Sequence, residues 1–447
     1  MDLCVSKFGG AALEDGAAVR RVADLVRGRT GQRQVLVVSA HRGVTQQLSA
    51  ACDAARSGTL SWDALRVRHR TILRQLELPS DLLTRHLQSL RGLLAHLAGT
   101  GFVDARQRDH VLSFGERMSA RVVAAHLRAS GVPATAIDAY DLGLVHHPDL
   151  GFLPPAEEEE RNRLRERLLG VVGVPVVTGF LALNSGGDLT TLGPNGSDLT
   201  ATWLAEALGA QEVLLWKPVS GIYSADPKLV PEARLLEEIG WDDAAVLALQ
   251  GAAILHPAAG APARRASIPV RVRSVLEPSQ TGTLVSDEVA SEVGVIAIAH
   301  RRNVALVELK IGGNDGQSVA TEAQAREKLE ALGLSLETHG VEPLSMHSTP
   351  SSAFLLMPES PALAPAAGEL IRAGATLHRG LSALSPVGRG VEVDGEVDRA
   401  LGEICGPDAI LLPPRPGSRA RIVLVRQEAL KSTAVRLHER LLGCLTC

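Results

Sequence analysis

Near the start of the chain, short runs of consecutive apolar residues are separated by a segment in which apolar residues recur at helical spacing. Residues 3–5 form a short apolar run that leads into Lys7-Phe8-Gly9-Gly10, and apolar side chains then recur at helical spacing over residues 19–26. Residues 35–40 form a nearly continuous apolar run, which is typical of a parallel strand buried on both faces. The order strand, glycine turn, helix, strand predicts a βαβ unit and therefore a parallel α/β sheet.

The same two patterns continue to about residue 287. Residues 48–130 are predicted to be mostly helical, most clearly over residues 116–129. A further helix is predicted over residues 197–208, because an apolar run begins there and ends at Gly209. The remaining strands of this region are predicted at residues 134–138, 174–180, 213–216, 268–275 and 283–285.

The pattern changes beyond about residue 288. Strands are predicted at residues 303–311, 352–357 and 421–425, and helices at residues 320–332, 367–373 and 428–442. Short strands that alternate with single helices are typical of small α+β modules. We therefore predict a large α/β domain at residues 1–287, followed by a smaller α+β region at residues 288–447.

Composition narrows the class of protein. The chain has 447 residues, of which 45% are hydrophobic and 21% charged, as in a globular protein of two or three domains. Its net charge of −4 argues against a nucleic-acid binder, whose surface would be basic. We find neither a signal pattern nor an apolar run long enough to span a bilayer, so we expect a cytoplasmic protein without membrane contact. Five dispersed cysteines argue against a disulfide framework, and Cys444-x-x-Cys447 alone is a weak metal signal.

The stretch Thr190-Thr191-Leu192-Gly193-Pro194-Asn195-Gly196-Ser197-Asp198 has the composition of an anion-binding turn. Its glycines and its Asn-Gly pair allow a sharp turn close to a ligand. The helix predicted after it would direct free N–H groups and the positive end of its dipole at the loop, which favours phosphate. Asp198 is then either the N-cap of that helix or a carboxylate that positions a metal or a lysine.

Four residues are predicted to meet at one edge of the sheet. Lys7, Ser39, Phe180 and Lys217 each stand at the carboxyl end of a predicted strand, and ligands of open α/β sheets gather at that edge. Two glycines follow Lys7 closely, so its ammonium group and nearby backbone N–H groups can approach a phosphate together. The sequence therefore indicates a phosphate site built from several strand ends.

Motifs along the first 287 residues resemble those of the aspartokinases and occur in the same order. They are Lys7-Phe8-Gly9-Gly10, Ser39-Ala40 with Gly43-Val44-Thr45, Gly115-Glu116-Arg117-Met118-Ser119-Ala120, Thr178-Gly179-Phe180, Thr191-Leu192-Gly193 with Gly196-Ser197-Asp198, the run from Val219 to Pro227, and Gly251-Ala252 with Leu255-His256-Pro257. Together these motifs are highly specific. Residues 288–447 are similar to the paired ACT-type regulatory modules of that family, most clearly at residues 301–307 and 434–438.

This resemblance implies the amino acid kinase fold and phosphorylation of the side-chain carboxylate of L-aspartate with ATP and Mg²⁺, the first step toward lysine, threonine and methionine. By the same resemblance, Lys7 and Asp198 are catalytic. The implied substrate-binding residues are Thr45, Glu116, Phe180 and Ser197, to which we add Arg42 as a hypothesis. The implied ATP-binding residues are Lys7, Phe8, Gly9, Gly10, Ser39, Lys217, Pro218, Tyr223, Asp226 and Lys228, and no side chain is assigned as a metal ligand.

The family also implies a homodimer or larger homo-oligomer and a lysine or threonine effector. The loop Gly312-Gly313-Asn314-Asp315-Gly316 is a candidate for the effector site or is simply a turn.

Several positions depart from the family pattern. Pro194 stands where the family carries an arginine that grips substrate carboxylates, and Ala253 stands where it carries a lysine. Ala11-Ala12 and Lys217-Pro218 replace Thr-Ser and Thr-Asp pairs. Lys217 on the nucleotide side and Arg42 on the substrate side are the candidate replacements for the lost charges.

These departures leave three functions open. The chain is an aspartate kinase with rearranged charge contacts, a kinase of the same fold acting on another amino or carboxylic acid, or a catalytically poor paralogue that binds an effector and regulates a partner. Lys7 and Asp198 count against the third function, whereas the lost arginine and lysine count for it.

Overall fold

The computed structural model describes residues 2–29, 31–146, 157–252, 257–289, 293–310, 327, 336, 340–349, 351–372 and 374–443. The chain forms two compact units, the first from Met1–Ile222, Glu237–Trp241 and Leu255–Val289 and the second from Tyr223–Leu236, Asp242–Ile254 and Ala290–Cys447. The boundary that we place after residue 287 stays a prediction. The loop Gly312–Gly316, Ala253, Leu255-His256, Cys444, Cys447 and all of the helix predicted at 320–332 except residue 327 lie outside the described residues.

The first unit alternates strands and helices as the apolar pattern predicts. Its strands are β1 Leu3–Phe8, β2 Arg33–Val38, β3 Ala134–Ile137, β4 Val174–Thr178, β5 Leu181–Leu183, β6 Leu189–Thr191, β7 Glu212–Lys217, β8 Glu238–Gly240, β9 Val270–Ser274 and β10 Thr283–Ser286. Its helices are α1 Gly16–Arg27, α2 Val44–Arg56, α3 Asp63–Gln75, α4 Thr84–Thr100, α5 Ala105–Ala129, α6 Glu158–Leu169, α7 Gly196–Leu208 and α9 Pro257–Arg265. Helix α8, Trp241–Leu249, has its first residue in this unit and all its other residues in the second unit.

Eight of these strands form one sheet in the order β3-β4-β2-β1-β7-β9-β10-β8. Neighbouring strands from β3 to β9 pair in parallel, and β10 pairs antiparallel with β9. The strands β5 and β6 form a separate hairpin. The predicted α/β class, a mainly parallel sheet between helices, is confirmed.

Alternation along the central strands divides the sheet into two faces. Cys4 and Phe8 of β1 point into a large apolar core that also contains side chains of α1 to α5. Val5 and Lys7 point to the opposite face, where α7 packs against β1 and β7. Helix α7 is buried along nearly its whole length, so its first turn is held rigidly over the strand ends.

The second unit is an antiparallel α+β structure. Its strands are β11 Ala297–Lys310, β12 Ser345–Ser348, β13 Ser352–Pro358, β14 Ala375–Val387, β15 Ile410–Leu411 and β16 Val423–Arg426, and its further helices are α10 Leu363–Arg372, α11 Gly395–Cys405 and α12 Leu430–Leu442. The six strands form one sheet in the order β12-β13-β11-β14-β16-β15. The predicted α+β class of this region is confirmed. No helix among the described residues has the length and apolar character needed to cross a membrane.

Candidate active site

The carboxyl ends of four neighbouring strands, β4, β2, β1 and β7, form the edge on which the predicted site residues lie. Lys7 is the penultimate residue of β1, and Lys217 is the last residue of β7. Ser39 follows β2 directly, and Phe180 comes two residues after β4. Because the four strands are parallel neighbours, the fold brings all four residues to the same edge.

Asp198 lies between two lysines. Lys7 Nζ is 2.6 Å from Oδ1 of Asp198, and Lys217 Nζ donates a 3.0 Å hydrogen bond to Oδ2. The side chains of Asp198 and Lys7 are 2% and 8% exposed, and that of Lys217 is 19% exposed. Helix α7 begins at Gly196 with Asn195 as its N-cap, so Asp198 is not the cap. Its carboxylate instead serves as the partner of both ammonium groups.

Burial and charge act in opposite directions on this group. Burial alone would raise the pKa of Asp198, but the positive charges of Lys7 and Lys217 outweigh it and hold the pKa below its usual value. Burial lowers the pKa of Lys7, and the nearby charge of Lys217 lowers it further, while Asp198 opposes both effects. The site therefore keeps two ammonium groups largely out of water, which is costly unless an anion such as the Asp198 carboxylate lies beside them.

The turn before α7 is fixed by close contacts with the strand ends. Gly193 and Asn195 both have positive φ, 72° and 61°, which lets the chain reverse sharply into the helix. Ser39 Oγ donates a 3.0 Å hydrogen bond to Ser197 Oγ, which joins the end of β2 to the first turn of α7. Phe180 also has a positive φ of 68°, and its N–H donates to Thr200 Oγ1 at 3.2 Å. Sequence reasoning missed Thr200.

Glu116 is a buried carboxylate, one oxygen of which has no hydrogen-bond partner in the part of the chain that the structure describes. It lies on α5 and is 3% exposed, and the backbone N–H of Ala40 donates to its Oε1 at 3.0 Å. Its Oε2 is buried and has no hydrogen-bond partner among the described residues. Burial raises the pKa of Glu116 to about 7, although the hydrogen bond from Ala40 and the charge of Lys7 both lower it. A buried carboxylate oxygen without a partner favours a cationic ligand.

The glycine turn after β1 lies against the loop that follows β2. The N–H of Arg42 donates to the carbonyl of Gly10 at 3.1 Å, and a Cβ on Gly10 would lie 2.9 Å from the carbonyl oxygen of Ala40. Thr45 is half-buried in the first turn of α2. The guanidinium of Arg42 is exposed and pairs with Glu14 at 3.2 Å, so part of its charge is already balanced.

Relatives of known activity match most of the chain. The sequence model of the amino acid kinase family matches residues 2–274. Lysine-sensitive aspartokinase 3 of Escherichia coli is 35% identical over 320 residues, which are 69% of this chain and 69% of that protein. Aspartokinase 1 of Arabidopsis thaliana, a chloroplastic protein, is 33% identical over 360 residues, which are 77% of this chain and 63% of that protein. The chain belongs to the aspartokinase branch of the amino acid kinase family.

Two crystal structures of E. coli aspartokinase III match nearly the full length of this aspartokinase-family chain. The first, a complex with aspartate and ADP in the R-state, has a TM-score of 0.79 at 28% identity and covers 98% of this chain and 100% of that one. The second, a complex with lysine and aspartate in the T-state, also has a TM-score of 0.79 at 28% identity, with 99% and 100% covered. The fold of both units is therefore that of an aspartokinase.

The aspartokinase resemblance implies that Phe8 and Pro218 bind ATP. The side chain of Phe8 lies away from the strand ends, and that of Pro218 is exposed to solvent. Phe8 is buried in the core, where its ring stacks on Trp216 at 6.0 Å, and its carbonyl accepts a 3.1 Å hydrogen bond from the N–H of Ser39. Phe8 thus positions β2, and its ring faces away from the edge. Pro218 follows Lys217 and is exposed.

Three more of the implied ATP-binding residues, Tyr223, Asp226 and Lys228, belong to the second unit. Asp226 Oδ1 accepts a 2.9 Å hydrogen bond from the N–H of Lys228, and Ser224 Oγ lies 2.9 Å from Nε2 of the buried His438 on α12. Sequence reasoning did not foresee that the last helix anchors this segment. The ATP-binding role of the three residues stays a prediction.

The first part of the aspartokinase loop motif has a structural role. Thr190 and Thr191 are residues of β6, and their hydroxyl groups each donate a 2.9 Å hydrogen bond to Asp109 of α5. Pro194 and Asn195 are exposed at the tip of the turn. The described residues contain no group of three or more His, Cys, Asp or Glu side chains that could hold a metal ion.

Replacement of Gly179 by alanine is expected to destabilise the first unit. A Cβ at this position would lie 2.5 Å from Cβ and 2.8 Å from Cα of Ser197, so the first turn of α7 must move. Overpacking of this kind costs about 1–3 kcal/mol. We expect a melting temperature lower by roughly 2–10 °C in calorimetry. Gly92→Ala on α4 is the matched control because a Cβ there meets nothing within 4 Å. An unchanged melting temperature for Gly179→Ala would contradict the close approach of Gly179 to Ser197.

Proposed function

We propose that this chain transfers the γ-phosphoryl group of ATP to the side-chain carboxylate of L-aspartate, giving 4-phospho-L-aspartate and ADP. The observation that carries the proposal is the largely buried Lys7–Asp198–Lys217 group at the strand ends. The carboxylate of Glu116 acts on Lys7, and its buried Oε2 has no hydrogen-bond partner among the described residues. The E. coli relative of the same fold was crystallised with aspartate and ADP, which are the substrate and product of this reaction.

The reaction brings two anions together, so the site must supply positive charge. A carboxylate oxygen of the acceptor attacks the γ-phosphorus, and the bond from that phosphorus to the bridging oxygen breaks. ADP leaves with the electron pair, and the reaction needs no oxidant and no net proton. Catalysis of such a transfer is mostly positioning and electrostatic stabilisation of the transferring group. Lys7 is placed to supply that charge, because its ammonium group is buried at the strand end and held by Asp198.

The binding of phosphate is supported by the backbone around Lys7. Gly9 and Gly10 follow it, and α7 begins at Gly196 next to the same strand ends, so the positive end of its dipole lies near Lys7. Mg²⁺ bound with ATP would neutralise charge on the β- and γ-phosphates. Both oxygens of Asp198 contact lysines, and the described residues contain no group of three or more His, Cys, Asp or Glu side chains that could hold a metal ion. Mg²⁺ usually takes only one or two protein carboxylates in addition to substrate phosphates, so in the proposed reaction it would enter on the phosphates of ATP.

Glu116 is suited to the α-ammonium group of the acceptor. Its Oε2 has no partner among the described residues, and its Oε1 is held by the N–H of Ala40. An ammonium group would satisfy the free oxygen and form a buried ion pair. Thr45, Phe180 and Ser197 would then surround the rest of the amino acid, and Arg42 would reach it only by releasing Glu14.

Residues 288–447 are proposed to form ACT-like regulatory modules that bind an amino acid effector, in a protein that works as a homodimer or larger homo-oligomer. The six-stranded antiparallel sheet with its helices supports the module type. The E. coli relative has been crystallised with lysine, which supports an amino acid as the effector.

Pro194 is the observation that favours an acceptor other than aspartate. The exposed proline at the tip of the turn cannot form the forked pair that an arginine makes with carboxylates. A kinase of the same fold that acts on another amino or carboxylic acid is therefore the second candidate. The intact Lys7–Asp198 pair argues against the third candidate, a paralogue with regulatory function alone.

A coupled assay of ADP release with aspartate, glutamate and related acids separates these functions. We expect aspartate to give the highest kcat/KM. Higher turnover with another acid would establish the second candidate. Nucleotide binding without turnover of any acid would leave only the regulatory paralogue.

Introduction of arginine at position 194 is expected to improve the binding of aspartate. Pro194 is exposed, so an arginine there has room to reach a carboxylate. A hydrogen-bonded contact to a charged group contributes about 1.5–3 kcal/mol, so the KM for aspartate should fall about tenfold or more. Pro194→Ala is the matched control for loss of the proline ring. If Pro194→Arg has the KM of Pro194→Ala, the site recognises its acceptor through other residues.

A further inference from the structure

Lys7 and Lys217 lie on the same face of the sheet. Lys7 pairs with Leu215 in the parallel register of β1 and β7, and Lys217 stands two residues beyond Leu215. Because side chains alternate along a strand, Lys217 points to the face that Leu215 and Lys7 share. Two neighbouring strands therefore deliver two ammonium groups to one place, where α7 presents Asp198 to both.

The charges around Asp198 do not cancel. Two ammonium groups against one carboxylate leave a net charge of +1. Glu116 is the other carboxylate that acts on Lys7, but in the proposed reaction it pairs with the ammonium group of the acceptor. A charge of +1 that is largely removed from water is costly unless an anion arrives to balance it. The anion that the proposed reaction brings to this point is the transferred phosphoryl group.

We propose that Lys217 is a second catalytic cation, which contacts the transferred phosphoryl group together with Lys7. The inference rests on the proposed function and deepens it. The sequence suggests a different role for Lys217, at the border of the nucleotide. In the structure its ammonium group donates a 3.0 Å hydrogen bond to the Asp198 carboxylate, which Lys7 also contacts. In this role Asp198 holds two lysines apart at fixed positions, one on each oxygen.

The two lysines differ in their access to a ligand. The side chain of Lys217 is 19% exposed and that of Lys7 is 8% exposed. Lys217 also ends its strand, whereas Lys7 is followed by one more strand residue. Lys217 is therefore the lysine more open to the phosphoryl oxygens, and Asp198 keeps both ammonium groups in place to contact them. This chain has lost an arginine and a lysine of the family pattern, and Lys217 restores one positive charge at the transfer step.

The test compares Lys217→Met, Lys217→Arg and the control Lys431→Met, which removes an exposed lysine on α12. We expect Lys217→Met to lower kcat about 10- to 100-fold, since a preorganised charge at the transition state is lost while Lys7 remains. We expect Lys217→Arg to keep at least about a third of the native kcat, because the charge is retained. A native kcat in Lys217→Met, or a Lys217→Arg enzyme as slow as Lys217→Met, would overturn the assignment.

Calorimetric titration provides a readout that does not depend on turnover. A non-hydrolysable ATP analogue presents the γ-phosphate, and ADP lacks it. For Lys217→Met we expect the Kd of the analogue to rise at least about fivefold, while the Kd of ADP changes less than about twofold. Equal weakening of both ligands would place Lys217 at the diphosphate and overturn the proposal. If the native chain phosphorylates no acid, the proposed function fails, and the two Kd values still decide the position of Lys217.

Discussion

Replacement of Lys7 by methionine is expected to lower kcat by at least about 10³-fold. Methionine keeps most of the length and apolar character of the side chain, so the buried volume at the end of β1 stays filled. What disappears is the ammonium group 2.6 Å from Asp198. A single positive group that stabilises charge in phosphoryl transfer contributes about 10³- to 10⁵-fold to kcat. The loss should exceed that of Lys217→Met because Lys7 is the more deeply buried of the two.

The measurement is the steady-state rate of ADP release at saturating ATP and aspartate, with Lys431→Met as the control. Calorimetric binding of ADP and the melting temperature show whether Lys7→Met is folded and still binds nucleotide. A folded variant that binds ADP and retains more than a tenth of the native kcat would contradict the catalytic role of Lys7.

Replacement of Glu116 by glutamine is expected to lower kcat/KM for the acceptor by about 10²- to 10³-fold, mainly through KM. Glutamine keeps the shape and can still accept the hydrogen bond from the N–H of Ala40. It removes the negative charge that the free Oε2 would offer to an ammonium group. Removal of one partner of a buried charge pair costs about 2–5 kcal/mol, and a 10²- to 10³-fold fall in kcat/KM corresponds to an energy within that range. Glu403→Gln, an exposed change on α11, is the control.

The pH dependence gives this prediction a second readout. Burial raises the pKa of Glu116 to about 7, so the free protein carries a protonated Glu116 below that pH and a carboxylate above it. Only the carboxylate binds the ammonium group, so kcat/KM for the acceptor should rise as the pH increases through about 7. The profile of kcat should lack this step, because an ammonium group bound to Glu116 lowers its pKa in the complex. The Glu116→Gln variant should lose the step in kcat/KM.

A native kcat/KM in Glu116→Gln, or the same step near pH 7 in both enzymes, would show that another group binds the acceptor. The controls distinguish this from a general effect of the substitution. The two readouts are independent, since one is a magnitude at fixed pH and the other is the position of an inflection.

The position of the candidate site could be predicted from the sequence because it depends on strand ends. Apolar runs mark β1, β2, β4 and β7, and the polar residues next to their carboxyl ends are visible without a structure. Parallel strands bring those ends together regardless of the loops between them. The parallel register of β1 and β7 adds that Lys217 and Lys7 lie on neighbouring strands and point to the same face. Without the register, the sequence places Lys217 at the same edge as Lys7 but does not show that the two side chains share one face of the sheet.

Other parts of the fold could not be predicted because long-range contacts form them. The long strand β14 contains Gly380 and Pro386, residues that normally interrupt a strand, yet it pairs with β11 on one side and β16 on the other. Two register shifts in its pairing with β11, on either side of Val304, accommodate the irregularity around Gly380. The hairpin of β5 and β6 has only three residues in each strand, too few for a periodic signal, and Asp109 of α5 fixes it from a distant part of the chain. Helix α11 was also missed.

The charge state of the site is also invisible to sequence patterns. Glu116 is predicted as a substrate ligand by family resemblance, but its free Oε2 and its pKa of about 7 follow from burial. Asp198 is ambiguous in sequence between a helix cap and a charge partner, and the start of α7 at Gly196 decides between them. Family resemblance therefore identifies the residues, whereas the three-dimensional arrangement determines their chemistry.

The central claim is that the chain makes an acyl phosphate on the side chain of aspartate, and trapping of that product tests it most directly. Purified protein is incubated with ATP, Mg²⁺, aspartate and hydroxylamine, which converts an acyl phosphate into a hydroxamate that mass spectrometry and NMR can assign to one carboxyl group. We predict the side-chain hydroxamate of aspartate in equal amount to the ADP released, and none with Lys7→Met. ADP release without that hydroxamate, or a hydroxamate formed from another acid but not from aspartate, would contradict the claim.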